Sequence, residues 1–134
     1  MAGSKSNFLE DKALDHVLGG GDFTRPADVF VALYTTAPTD AGGGTEVSGG
    51  GYSRAEVAND VTHWPPASNG AKANGAEIVF PEASASWGTV VAMGVFDAAV
   101  GGNLLYWADL QASKAIEAGD TARFPAGSIT ITED

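Results

Sequence analysis

Glycine and proline recur along the whole of this sequence, and their frequency limits the folds that the chain can adopt. The 134 residues include 18 glycines and six prolines. A glycine inside a helix costs about 1 kcal/mol relative to alanine, and a proline costs more, so a largely helical protein would not carry so many. Here they separate short apolar runs, a pattern typical of strands joined by turns. The sequence therefore predicts an all-β protein.

The apolar runs predict seven or eight strands. The clearest run, VFVALYTT at 29–36, is apolar on both faces, as a central strand covered on both sides would be. Residues 52–58 alternate in polarity, which predicts a strand with one solvated face. The remaining predicted strands are 76–80, 89–96, 103–110 and a pair at 121–124 and 128–132 across Pro125-Ala126-Gly127, with brief runs at 61–64 and 114–116. The segment 65–75 contains two Asn-Gly dipeptides and predicts a surface loop.

Strands in this number, without helical patterns between them, indicate a β-sandwich or jelly-roll-like fold. We place this single domain at residues 29–134. Residues 1–28 are predicted to form a short N-terminal helix and a glycine-rich connection.

The N-terminal helix is predicted from its cap and its apolar stripe. Asn7 is the expected N-cap, with Glu10 at the third helical position in a capping-box pattern, and Gly19 to Gly21 end the helix. About three turns are too few for a stable isolated helix, so the stripe must dock on the domain or on a neighbouring subunit. The candidate interface residues are Phe8, Leu14, Val17 and Leu18 of the stripe, together with Trp64.

The tryptophans are large apolar anchors that can fill a core or a subunit interface. Trp107 lies within an alternating strand, and we expect it in the core. Trp64 stands beside Pro65-Pro66, and for this residue the core and an interface remain equal alternatives.

Charge and composition exclude several classes of partner. Seventeen acidic residues against seven basic ones give a net charge of −10, which opposes binding to phosphates, so we expect no nucleic-acid partner. We expect no membrane partner either, because no apolar run is long enough to span a bilayer. The chain has no cysteine, which excludes disulfides and thiolate metal sites.

Residues that carry catalytic chemistry are present but not in the required patterns. His16 and His63 have no second ligand at metal-binding spacing, and the Gly42-Gly43-Gly44 cluster lacks the lysine of a phosphate loop. The serines show no nucleophile elbow, and the carboxylate pairs Glu10-Asp11 and Glu133-Asp134 stand at a helix start and at the chain end. We therefore predict no enzymatic activity, no catalytic residues, no metal and no cofactor.

Five segments together resemble a family of short bacteriophage virion proteins, often labelled tail fibre or minor structural proteins. These segments are FLEDKALDHVLGG at 8–20, VFVALYTTAPTDAGGGTEVSGGGYSR at 29–54, IVFPEASASWGTV at 78–90, GVFDAAVGGNLLYWADL at 94–110 and AGDTARFPAGSITIT at 118–132. The resemblance implies a virion protein without enzymatic activity, assembled in the host cytoplasm.

Two functions are consistent with a small acidic domain that carries an amphipathic helix. Our leading hypothesis is a capsid decoration protein that oligomerises with itself and binds the major capsid lattice, where many small contacts add up to a large stabilisation. The alternative is a structural or receptor-contacting component of the tail fibre or baseplate, with the glycine-rich loop at 42–51 presented outward.

Overall fold

The chain folds into ten strands and one helix within residues 2–133, the part that a computed structural model of the protein describes. The elements in chain order are β1 (Ala2–Lys5), α1 (Asn7–Val17), β2 (Asp28–Thr36), β3 (Thr45–Glu46), β4 (Ala55–Ala58), β5 (Ala71–Ala73), β6 (Ile78–Glu82), β7 (Gly88–Phe96), β8 (Leu104–Ile116), β9 (Thr121–Phe124) and β10 (Thr130–Thr132). This confirms the predicted all-β class with a short N-terminal helix. In residues 2–133 no helix has the length and apolar character needed to cross a membrane.

Eight strands form the main sheet, in the order β3-β2-β7-β8-β1-β10-β5, and β4 also pairs with β2. Strands β6 and β9 form a second, two-stranded sheet. The long strands at the centre of the main sheet, β2, β7 and β8, are antiparallel to one another. β2 has β7 along one edge and β3 and β4 along the other, so the prediction of a central strand at 29–36 is confirmed.

Both faces of β2 are covered because its residues alternate between two apolar clusters. Val31 and Leu33 belong to the larger cluster, whereas Ala32 and Tyr34 belong to a smaller one on the opposite face. All four are at most 3 % exposed. The larger cluster also contains side chains from β6, the residue before β7, β7 itself, β8 and the C-terminal segment, among them Phe80, Trp87, Met93, Leu105 and Ile129.

Three details of strand pairing differ from the prediction. β9 and β10 do not form a hairpin, because β9 pairs with β6 while β10 pairs with β1 and β5. β5 lies inside the predicted surface loop at 65–75 and is held by its backbone bonds to β10. The predicted strands 103–110 and 114–116 are parts of one strand, β8, which follows β7 along both halves.

The run at 61–64 forms a turn rather than a strand. The Oδ1 atom of Asp60 accepts hydrogen bonds from the backbone N–H groups of Thr62 and His63, at 3.1 and 3.0 Å. These bonds satisfy the backbone locally, so the segment does not need a neighbouring strand.

The N-terminal segment is attached to the sheet by β1, which the sequence analysis did not predict. β1 runs antiparallel to β8 and parallel to β10. The helix cap is also one residue earlier than expected: Ser6, not Asn7, accepts a hydrogen bond from Leu9 N, at 3.3 Å. The Ser6 hydroxyl in turn donates to the backbone carbonyl of Leu104, so the buried cap fastens α1 to β8.

Candidate functional site

One face of α1 exposes apolar side chains to solvent. Leu14 and Val17 of α1 and the C-cap residue Leu18 are 60 %, 75 % and 70 % exposed, and their spacing of three and four residues places them close together. The helix is held to the domain by Leu9, which is buried in the larger cluster. The three exposed residues therefore do not dock on their own domain, which was one of the two alternatives. A neighbouring subunit as their partner stays a prediction.

Acidic residues border these exposed apolar side chains. Asp11 and Glu10 lie three and four residues before Leu14, on the same side of the helix. Asp11 is exposed and Glu10 is partly exposed. We call the set Asp11, Leu14, Val17 and Leu18 the α1 surface. It combines an apolar area with a negative margin.

The other two candidate interface residues lie against the protein interior. Phe8 is half-buried at the edge of the larger cluster, and the Lys12 ammonium lies 5.7 Å from the centre of its ring. Trp64 is 8 % exposed and belongs to the same cluster, so it packs in the core of the single chain, and an interface role for it stays a prediction.

Trp64 lines a cavity of about 390 Å³, here called the Trp64 cavity. Its lining is mainly apolar and includes Leu9, Phe23, Val29, Trp64, Tyr106 and Ile131. Among residues 2–133 no acceptor lies within hydrogen-bond distance of the buried Nε1 atom of Trp64. A buried donor without a hydrogen-bond partner costs about 1–3 kcal/mol. The Trp64 indole is therefore less favourably placed than a hydrogen-bonded one would be.

Charged residues at the Trp64 cavity are mostly basic. Arg25 is exposed, and Lys72 is partly exposed with its Nζ atom donating to the carbonyl of Pro65 at 3.0 Å. Glu133 also lines the cavity, but its Oε2 atom is 2.7 Å from the Nζ atom of Lys5. The hydrogen bond to Glu133 raises the pKa of Lys5. Of the two carboxylates at the chain end, Glu133 therefore forms an ion pair with Lys5. Asp134 lies outside the described residues.

Arg54 and Glu46 form an ion pair that the sequence analysis did not predict. It joins the edge strand β3 to the segment before β4. The Arg54 guanidinium donates from Nε and Nη2 to the two carboxylate oxygens of Glu46, each at 2.9 Å, and Tyr52 donates to Glu46 Oε2 at 2.6 Å. Burial alone would raise the pKa of Glu46, but the hydrogen bonds from Arg54 and Tyr52 outweigh it and lower this pKa. Tyr52, Arg54 and Glu56 were predicted to share the polar face of a strand with one solvated face, yet the Arg54 side chain is only 7 % exposed.

The glycine-rich loop is fastened to the domain at its second half. Val47 is buried, and the carbonyl of Gly50 accepts a hydrogen bond from Trp87 Nε1 at 2.8 Å. Two residues before the loop, Asp40 Oδ1 accepts a hydrogen bond from Trp107 Nε1 at 2.8 Å. Trp107 is accordingly partly buried against the smaller cluster and not fully enclosed.

The two histidines lie in separate local structures. His16 Nδ1 accepts a hydrogen bond from the backbone N–H of Phe23 at 3.1 Å, and His63 Nδ1 lies 2.7 Å from Asp60 Oδ1. Neither lines the Trp64 cavity. Over the described range 2–133, no three His, Asp or Glu side chains converge in a way that would hold a metal ion.

Comparison with known families gives this architecture a context. The family model described as podophage GP4 fiber I protein gp80 matches residues 4–132, which is nearly the whole chain. The chain belongs to this family. A search of curated proteins found no match.

Membership of the gp80 fibre family confirms the resemblance to phage virion proteins that the five segments indicated. The match begins inside β1 and ends with the last residue of β10, so it spans α1 and the strands from β2 to β10. This member of the gp80 family is a structural protein of a bacteriophage virion.

Proposed function

We propose that this gp80-family protein is a structural component of a phage fibre, and that it acts by non-covalent contacts without catalysis. The family match over residues 4–132 carries the proposal, because the description of that family names a fibre. The same match gives no preference to the capsid, so it favours our alternative over the capsid decoration role.

The α1 surface supports a role in assembly. Three neighbouring apolar side chains exposed on one helix face are typical of a protein interface, whereas single exposed apolar residues need no explanation. The helix itself is anchored by Leu9 and by the Ser6 cap, so it presents this surface from a fixed position. We propose that the α1 surface is buried against another virion subunit, either a second copy or a different fibre protein.

The chemistry of the Trp64 cavity supports a structural role over an enzymatic one. The Trp64 cavity is mainly apolar, and its acidic lining residue within 2–133, Glu133, is paired with Lys5. A glycosidase would require two carboxyl groups facing one site. We propose that catalysis plays no part in what this protein does in the fibre.

Separation of phage heads from tails tests the fibre assignment. We expect an antibody against this protein to label purified tails and to find none on tailless heads produced by the same phage. Densitometry of whole virions should give a copy number that matches the fibres. Labelled heads, with enough copies to cover the shell, would instead establish the capsid decoration role.

A further inference from the structure

We infer that the Trp64 cavity receives the α1 surface of a second copy, so that copies of this protein associate head to tail. The inference rests on the interface role proposed for the α1 surface and adds its binding partner. Each chain would then carry one protruding element and one receiving site, and each contact would join unlike surfaces of two copies.

The size and lining of the cavity suit apolar side chains. The cavity is open to the surface, holds about 390 Å³ and is lined mainly by apolar side chains, so an apolar group can enter it from solvent. This volume lies within the range of about 300–1,000 Å³ that is common for ligand-binding pockets. Leu14 and Leu18 of a second copy would supply the branched apolar side chains that such a lining accepts.

The charges of the two surfaces are complementary. The protein has seven basic residues against seventeen acidic ones, yet Arg25 and Lys72 both line this cavity. Within the described residues neither of them forms an ion pair, and the cavity's Glu133 is already paired with Lys5. The α1 surface brings Asp11 beside its apolar side chains. Opposite charges around an apolar contact favour one orientation of the two surfaces.

The unpartnered indole of Trp64 is an independent indication that the site is incomplete in a single chain. Its Nε1 atom is buried and lacks an acceptor, although the residue lines the cavity. The carbonyls of Leu14 and Asp15 already accept from Leu18 N and Gly21 N, but the carbonyls after them are acceptors, because the last backbone carbonyls of a helix have no partner inside the helix. Because Nε1 is buried in the single chain, a second copy seated in the cavity would pair with it only after the indole turns toward the cavity.

The α1 surface and the Trp64 cavity of one chain are not in contact with each other. Leu14, Val17 and Leu18 are exposed, and none of them lines the cavity. A contact between two different surfaces of identical chains produces a closed ring when its rotation closes and a filament when it does not. Head-to-tail association of this kind would give every copy two neighbours.

Two complementary variants test this arrangement. Leu14→Asp disables the α1 surface and leaves the cavity intact, whereas the double substitution Arg25→Glu with Lys72→Glu disables the cavity margin and leaves α1 intact. We expect each variant alone to self-associate at least about tenfold more weakly than the wild type in analytical ultracentrifugation. When the two are mixed, we expect a one-to-one heterodimer in native mass spectrometry, because one functional contact remains.

A charge-matched control separates the site from the net charge of the protein. The double substitution Lys114→Glu with Arg123→Glu adds the same negative charge, and neither residue lines the cavity. This control should assemble like the wild type, and circular dichroism should show that all variants are folded.

Three results would overturn the inference. A wild-type chain that stays monomeric at all concentrations, a cavity variant that assembles like the wild type, or a mixture without heterodimer would each exclude head-to-tail docking. The fibre assignment would survive all three results, because antibody labelling of tails measures location independently of self-association.

Discussion

Arg54 and Glu46 form a two-point ion pair that joins β3 to the segment preceding β4. Each of the two guanidinium nitrogens lies 2.9 Å from its carboxylate oxygen, and the guanidinium carbon lies 3.6 Å from the centre of the Phe96 ring. The remaining nitrogen, Nη1, donates to the carbonyls of Ala98 and Gly101, both at 2.8 Å. One side chain thus fastens the loop between β7 and β8 to the edge of the sheet.

Replacing Glu46 with Gln should destabilise the protein at neutral pH and should have less effect in acid. The variant loses the charged partner of Arg54, and we expect a loss of about 1–3 kcal/mol in the free energy of unfolding at about pH 7. Because the folded pKa of Glu46 is lowered, its contribution is complete above the unfolded value near 4.5. The contribution disappears as the pH falls through the folded pKa.

Urea unfolding of the wild type and the Gln variant at about pH 7 and about pH 3 measures this difference. Glu56→Gln is the matched control, because Glu56 is exposed on β4. An equal loss at both pH values would contradict the account of Glu46.

Gly49 and Gly50 provide a direct test of close packing in the glycine-rich loop. Both have positive φ, +71° and +58°, so alanine strains the backbone at either position. A Cβ atom at Gly50 would lie 2.9 Å from Trp87 Cδ1, whereas one at Gly49 would meet no atom within 4 Å. We expect Gly50→Ala to lower the free energy of unfolding by about 1–3 kcal/mol more than Gly49→Ala does. Equal losses for the two variants in urea unfolding would show that the loop does not pack against Trp87.

Ser6→Ala should show which residue caps α1. The Ser6 side chain both accepts from Leu9 N and donates to the Leu104 carbonyl in a buried position, so its loss should cost about 1–3 kcal/mol. Asn7→Ala, at the residue that the sequence analysis took for the cap, should cost much less because Asn7 is exposed. Thermal unfolding of both variants distinguishes the two assignments, and a larger effect at Asn7 would refute the Ser6 cap.

Leu14→Asp should weaken association with the virion and leave the domain folded. Leu14 is 60 % exposed, so a charge there is solvated in the free chain but is costly in a covered interface. Val100→Asp is the control, because Val100 is 88 % exposed in the loop between β7 and β8 and is not part of the α1 surface. Incorporation of each variant into particles can be measured by immunoblotting. Equal incorporation of Leu14→Asp and wild type would exclude the α1 surface as an interface.

Local sequence patterns predicted the elements whose own residues are buried. β2 and β7 carry continuous apolar runs, and the structure buries both faces of each near the centre of the main sheet. The helix was predicted from its spacing of apolar side chains and its glycine terminator, although most of those side chains are exposed and the buried residue of α1 is Leu9. The cap was misplaced by one residue because Ser6 and Asn7 are both good N-cap residues.

Long-range pairing could not be read from the sequence. β1 has the sequence AGSK and no strand pattern, and it exists because β8 and β10 offer backbone partners on either side. The turn at 125–127 suggested a hairpin, but β9 and β10 join different sheets. Arg54 likewise reaches an acceptor 47 residues later in the chain, a distance over which polar alternation carries no information.

A cryo-EM map of the intact virion at side-chain resolution tests the central claim most directly. We predict density for this domain in the fibre, with the α1 surface, including Leu14, Val17 and the C-cap residue Leu18, covered by a neighbouring subunit. Density for the domain on the capsid shell, or a fibre in which α1 faces solvent, would contradict the account.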